Sequence, residues 1–412
     1  MGRFLFVVPP MADHVVPTVQ VGRELVARGH RVAWTGHPEI VQRLLPDDAV
    51  FLPVDSAVPH QVRRAVAMRP TKGLRGPAAL KFLWEDVTLP LAHSMVPGVR
   101  TAIHEFAPDV VVVDQQALAG AAVAQVLGVP WVTTMTTSVE LAHPLGTMPL
   151  VARWIKGLLQ DLMLDVGVAE DEAATIDPRF SPRLVVAFST EQLMGSVAVP
   201  GDCAFVGPCL DDRPERPDRT DDTPFDWTWL DGRPLVVVAS GGADRMGEGF
   251  LSVALECFFG MDAQAVVVGS PDLLPGAPDN VLVTPRVPRS ALLAHAAAVV
   301  CHGDHGTVGE SLANGVPLVV VPIRDDQPIV AQQVVDASAG VRVRFGRVHP
   351  DGLRRAVESA LYEPRLRAGA AEVRDAVAGA GGPRRAADRI ECLLGTTTLT
   401  ATSLPMSARE SA

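Results

Sequence analysis

Residues 297–345 read AAVVCHGDHGTVGESLANGVPLVVVPIRDDQPIVAQQVVDASAGVRVRF. An apolar run, Ala297 to Cys301, stops at a polar, glycine-rich turn, HGDHGT, and a short helical segment, VGESLANG, follows. A second apolar run, Val316 to Val321, stops at another polar turn, IRDDQP. A helix, Gly340 as its cap, and a third β-branched run close the pattern. Apolar runs alternating with helical pieces predict parallel strands in βαβ units. In such sheets ligands bind outside the carboxyl ends of the strands, so both polar turns fall on the binding edge.

The first turn has the parts of an anion site. Gly303 and Gly306 let the backbone come close to a ligand, and the amides that open the next helix point outward with the positive end of its dipole. His302 and Thr307 add side-chain donors. An isolated HG dipeptide usually means only a histidine that caps a helix. Thr307 and the later DDQ turn raise the weight of the binding reading. Asp326 and Gln327 suit hydroxyls better than phosphate. A phosphate cradle beside a hydroxyl clamp points to a sugar nucleotide.

Outward from this stretch, the same alternation recurs. PLVVVASGG, a helix near 247–260, QAVVVGS, VLVTP and the RSALLAHA helix precede it. Before them, 211–224 (DDRPERPDRTDDTP) is charged, proline-rich and without a bulky apolar residue, the composition of an exposed interdomain linker. The first half begins with a buried strand, Phe4–Val8, then a loop carrying His14, a helix, Gly29 as its C-cap and a strand. Val19, Leu25 and Val26 are expected on the face packed against the sheet. DVVVVD (109–114) reads as another buried strand. Residues 56–106 are helix-prone but carry Pro59, Pro70, Pro77, Pro90 and Pro97, which predict broken helices around an apolar patch at Phe82, Leu83 and Trp84.

Composition bounds the possibilities. A chain of 412 residues is long for one core, so two domains are expected. The net charge of −11 gives nucleic-acid binding no support. Five scattered cysteines favour neither a disulfide framework nor a zinc cluster. The N-terminus, MGRFLFVVPP, reads as a strand rather than a signal peptide, and no apolar stretch approaches the roughly 18–20 residues of a membrane span. A cytoplasmic protein is expected.

HGDHGT and its spacing to VPIRDDQP resemble the C-terminal signature of family 1 glycosyltransferases of the GT-B fold, most of all actinobacterial enzymes that glycosylate natural products. ADHVVPTVQVGRELVARGHRV resembles their N-terminal GHxxP segment, with Asp13 where glycine is common. The resemblance spans most of 1–390. It implies an α/β protein of two Rossmann-like βαβ domains facing each other across a cleft. Residues 1–210 would form the acceptor-binding domain, 225–394 the nucleotide-sugar domain, and 395–412 a disordered tail.

The resemblance also implies roles. His14 would be the general base that deprotonates an acceptor hydroxyl, with Asp114 fixing its tautomer; the bland alternative for Asp114 is a helix N-cap near Ala117. Ser240 and Gly241, with His302, Gly303, Asp304, His305, Gly306 and Thr307, would hold the diphosphate. Arg286 and Val287 would receive the base, Asp326 and Gln327 the sugar, and Phe82 and Trp84 the acceptor. No metal and no cofactor beyond a dTDP- or UDP-sugar co-substrate is implied. The expected partners are that sugar nucleotide and an apolar hydroxylated acceptor, acting on a monomer or homodimer. The expected reaction is inverting transfer of a sugar to a natural-product hydroxyl. The alternatives are a sugar-nucleotide 2-epimerase and a degenerate homologue that binds without transfer.

Asp304 departs from the pattern, because the family usually has glycine there. A carboxylate about 5 Å from a phosphate charge, at an effective dielectric of about 20, costs roughly 3 kcal/mol. Either Asp304 adopts a left-handed conformation and turns its side chain away, or the donor site is weakened.

Overall fold

The computed structural model describes residues 1–66, 77–137, 148–195, 199–210, 225–239, 247–273, 276–323 and 326–395. The linker expected at 211–224, the donor residues Ser240 and Gly241, and nearly all of the 395–412 tail lie outside the described residues.

Two all-parallel sheets carry the chain. The first holds β1 (Arg3–Val7), β2 (Arg31–Gly36), β3 (Val50–Pro53), β4 (Val110–Asp114), β5 (Trp131–Met135), β6 (Leu184–Ala187) and β7 (Asp202–Phe205), in the order β3-β2-β1-β4-β5-β6-β7. The second holds β8 (Leu235–Ala239), β9 (Gln264–Val268), β10 (Val281–Thr284), β11 (Ala296–Cys301), β12 (Leu318–Val320) and β13 (Gly340–Arg342), in the order β10-β9-β8-β11-β12-β13. Each order reverses once, between β1 and β4 and between β8 and β11. Those reversals open a crevice at the carboxyl ends of the strands. This is the two-domain GT-B arrangement. Strands such as VVVVD are buried on both faces, as helices covering both sides of a parallel sheet require.

The first helix, Ala12–Ala27, starts earlier than expected, so His14 sits in its opening turn rather than in a loop. Gly29 (φ +84°) ends the helix, its N–H donating to Val26 O at 2.9 Å while His30 N donates to Leu25 O at 3.1 Å. The packed face uses Val15, Val19, Gly22 and Leu25, whereas Val26 is 53% exposed. Gly22 is there for room: a Cβ would come within 2.3 Å of the Trp34 ring.

Three expectations need correction. The prolines do not break residues 89–106, which form one 18-residue helix, Leu89–Phe106, entered from a π-helical turn, Phe82–Thr88. Pro90 follows directly on the π-helical turn, where Leu89 N donates to Trp84 O five residues back, and Pro97 is accommodated inside the helix. Gly340 is not a helix cap. Ser338 takes the left-handed conformation (φ +53°), and Gly340 opens β13, where a Cβ would lie 2.2 Å from Leu318 O. Finally, packing does not divide the chain at residue 394. The last helix, Gly382–Glu391, returns to the first sheet, and Ala386, Ala387, Ile390 and Leu393 share a core with Phe4, Phe6 and Trp34. Arg28 clasps it through Asp388 and Glu391, each at 2.6 Å. Among the described residues, no helix is long and apolar enough to cross a membrane.

Candidate active site

The register of β1, β4 and β5 sets the first half of the site. Val7 lies beside Val113 and Asp114 beside Thr134, so the Asp114 carboxylate meets the helix that leaves β1. His14 Nδ1 lies 2.9 and 3.0 Å from the two Asp114 oxygens, and Thr136 Oγ1 approaches the same nitrogen at 2.8 Å. A bare nitrogen lone pair facing a carboxylate would be repelled, so Nδ1 carries the proton and Nε2 is left as the acceptor. Asp114 is not a helix cap. It is fully buried, and its Oδ1 also accepts from Gln116 N at 2.9 Å, which fixes its orientation. Burial of His14 disfavours its charge, but the Asp114 charge and hydrogen bond outweigh this and raise its pKa above the ordinary imidazole value. Asp13 and Asp326 add to the effect.

Asp326 belongs to the second half and meets the first through a threonine next to the one on His14. Thr137, two residues past β5, donates its hydroxyl to Asp326 Oδ2 at 2.8 Å, and His305 Nε2 lies 3.3 Å from the same oxygen. Burial opposes ionisation of Asp326, yet His305 and Thr137 hold its carboxyl below the ordinary range. Asp326 stands at the start of the Gln327–Asp336 helix without capping it, which leaves the carboxylate to the crevice. Gln327 is buried, and its Oε1 accepts from Ile323 N at 2.8 Å, closing the IRDDQP turn.

The HGDHGT turn is built differently from the expectation for Asp304. Gly303 takes the left-handed conformation (φ +97°), and a Cβ there would lie 2.9 Å from Val320 Cγ1. Asp304 is extended (φ −69°, ψ 143°) and is the N-cap of the His305–Ala313 helix, its Oδ1 accepting from Thr307 N at 2.8 Å. Its Oδ2 faces His302 Nε2 at 3.4 Å, and His302 is only 1% exposed. Thr307 Oγ1 accepts from Arg289 Nη2 at 3.0 Å.

The other expected residues separate. Val287 is buried and Arg286 exposed, with Thr284 Oγ1 donating to the Arg286 carbonyl at 3.0 Å. Phe82 is half-buried. Trp84 is 4% exposed, part of the core under the Leu89–Phe106 helix, with the Arg179 guanidinium over its ring, so it packs rather than offers a face to an acceptor. Cys301 is fully buried at the end of β11; burial pushes its thiol up to about 12, which removes it as a nucleophile. Sequence reading missed Thr136, Thr137 and Arg289. TTMTTS gives no sign that one of its threonines reaches His14 and the next Asp326, whereas Arg289, three residues past Arg286, lies in a stretch that reading had already singled out.

Two Rossmann-type halves meet at a His–Asp pair on one side and a glycine-turn helix start on the other. The chain is a glycosyltransferase of the natural-product type. Residues 253–393 match the family described as erythromycin biosynthesis protein CIII-like, C-terminal domain. The chain is 29% identical to 4'-demethylrebeccamycin synthase of Lentzea aerocolonigenes, over 95% of this chain and 100% of that protein. It is 27% identical to demethyllactenocin mycarosyltransferase of Streptomyces fradiae, over 96% and 87% of the two chains. The crystal structure of the kitacinnamycin glycosyltransferase superposes with a TM-score of 0.77 at 27% identity, covering 95% of this chain and 98% of that one.

Proposed function

We propose that this enzyme inverts the anomeric centre as it moves a sugar from a dTDP- or UDP-sugar to a hydroxyl of an apolar natural-product aglycone. One observation carries the reading: adjacent threonines join the two halves, Thr136 at Nδ1 of the Asp114-paired His14 and Thr137 at the Asp326 carboxylate of the second half. Two of its relatives, demethyllactenocin mycarosyltransferase and 4'-demethylrebeccamycin synthase, support the substrate class.

In the proposed reaction the acceptor hydroxyl gives its proton to His14 Nε2 as its oxygen attacks the anomeric carbon. The bond from that carbon to the diphosphate oxygen breaks on the opposite face, and its electron pair leaves with the nucleotide. Asp114 stabilises the imidazolium that forms. The amides opening the His305–Ala313 helix and the Thr307 hydroxyl meet the charge that grows on the departing diphosphate. Asp326 and Gln327 hold sugar hydroxyls. An oriented base aimed at an acceptor is more than a sugar-nucleotide 2-epimerase or a pure binding protein requires.

The test is nucleotide release on mixing the protein with dTDP- and UDP-sugars and a panel of polyketide, macrolide and enediyne aglycones. Release that needs an aglycone, gives a glycoside of inverted anomeric configuration and disappears in His14→Ala supports the reading. Donor binding without turnover on any aglycone argues for a binding protein.

A further inference from the structure

Asp304 already occupies the positive end of the His305–Ala313 helix, with Oδ1 on Thr307 N. Its second oxygen faces His302. From the neighbouring Arg289–His295 helix, Arg289 reaches Thr307 Oγ1 through Nη2, but its Nε is held by Glu310 Oε2 at 2.6 Å. On the other flank His305 is engaged with Asp326, and the Cys301 thiol stays protonated. Asp304, Glu310 and Arg289 together leave the turn one negative charge in excess, and a donor diphosphate brings more. Like charges in a buried turn repel strongly, and the nearest group able to relieve them by gaining a proton is the imidazole between them.

We propose that Asp304 is a positioning residue for donor binding: it holds His302 by Nε2, so that an arriving diphosphate drives His302 to its imidazolium form, which then bridges carboxylate and phosphate. Donor binding takes up a proton. The proposal rests on the reading of 302–307 as the diphosphate turn. Although burial opposes it, His302 and Arg289 hold the Asp304 carboxyl below its ordinary value, so the proton goes to the imidazole and not to the carboxylate.

The experiment is calorimetric titration of the full chain with dTDP-glucose and UDP-glucose at pH 7.5, in buffers of different ionisation enthalpy. Each phosphorus of these donors carries one ester and the shared anhydride oxygen, so its single acidic oxygen does not titrate near neutrality. The expected result is uptake of about 0.5–1 proton per donor, and affinity falling up to about tenfold per pH unit above 7.5. Asp304→Gly keeps an acceptable cap residue. It is expected to abolish the uptake, flatten the pH dependence and bind at least about tenfold more tightly at pH 8.5. His14→Gln is expected to retain the uptake, which separates His302 from the base across the crevice. Binding that depends on His302 without proton uptake, or uptake unchanged in Asp304→Gly, overturns the proposal alone. No binding of either donor, or binding indifferent to His302→Ala, overturns the diphosphate reading with it.

Discussion

The hydroxyl of Thr137 and the carboxylate of Asp326, 189 residues apart, are joined by a 2.8 Å hydrogen bond that crosses the crevice between the two sheets. It ties the half that carries His14 to the half that carries the sugar-binding candidates. It also occupies an oxygen of Asp326 that a sugar hydroxyl would need.

Thr137→Val removes this tie and leaves His305 on Asp326. A hydrogen bond to a charged group contributes about 1.5–3 kcal/mol, less where water reaches it. The ligand-free variant is expected to show a larger radius of gyration by small-angle scattering and a several-fold tighter donor Kd. Unchanged radius and affinity would mean that the bond has no part in closure.

His14 must be neutral to accept a proton, and Asp114 raises its pKa. The acidic limb of kcat/KM is therefore expected above the ordinary imidazole value, with activity rising as pH increases through it. Asp114→Asn is expected to shift that limb to lower pH and cut kcat by about 10²- to 10⁴-fold, the range of general-base contributions. A pH profile that keeps its acidic limb in Asp114→Asn would assign the limb to another group.

Gly340→Ala is expected to destabilise the protein by about 1–3 kcal/mol, because its Cβ would meet the Leu318 carbonyl at 2.2 Å and backbone must move. Two residues earlier, Ser338→Gly relieves a left-handed conformation and is expected to stabilise by about 1 kcal/mol. Urea denaturation of the two variants checks both signs.

Glu391 binds Arg28 at 2.6 Å and His30 at 2.5 Å. Although burial opposes it, these partners hold its carboxyl below the ordinary glutamate value. A depressed carboxyl stabilises the fold above its unfolded pKa, and the contribution disappears as pH falls through the folded one. Glu391→Gln is expected to cost about 1 kcal/mol at pH 6, with variant and wild type converging in acid below the ordinary glutamate range. Equal stability at pH 6 would show that the Glu391 ion pairs have no part in holding the last helix.

Alternating apolar runs and glycine turns were enough, read as sequence, to establish parallel βα halves and the placement of two polar turns, with Thr307 and Asp326, on a binding edge, while the candidacy of His14 and Asp114 came from the resemblance of their segments to family 1 glycosyltransferases. Hydrophobic period and positive φ at Gly29 or Gly303 are local properties, decided within a few residues. Only the tertiary structure decided that His14 opens a helix and meets Asp114, that Asp304 caps a helix instead of turning left-handed, and that Trp84 is core. It alone showed that Gly340 is demanded by a carbonyl on the next strand, and that the final helix returns to the first sheet. The Asp304 cap is local to its own turn, but each of the others depends on a partner brought close by folding, and no spacing along the chain encodes which partner that will be.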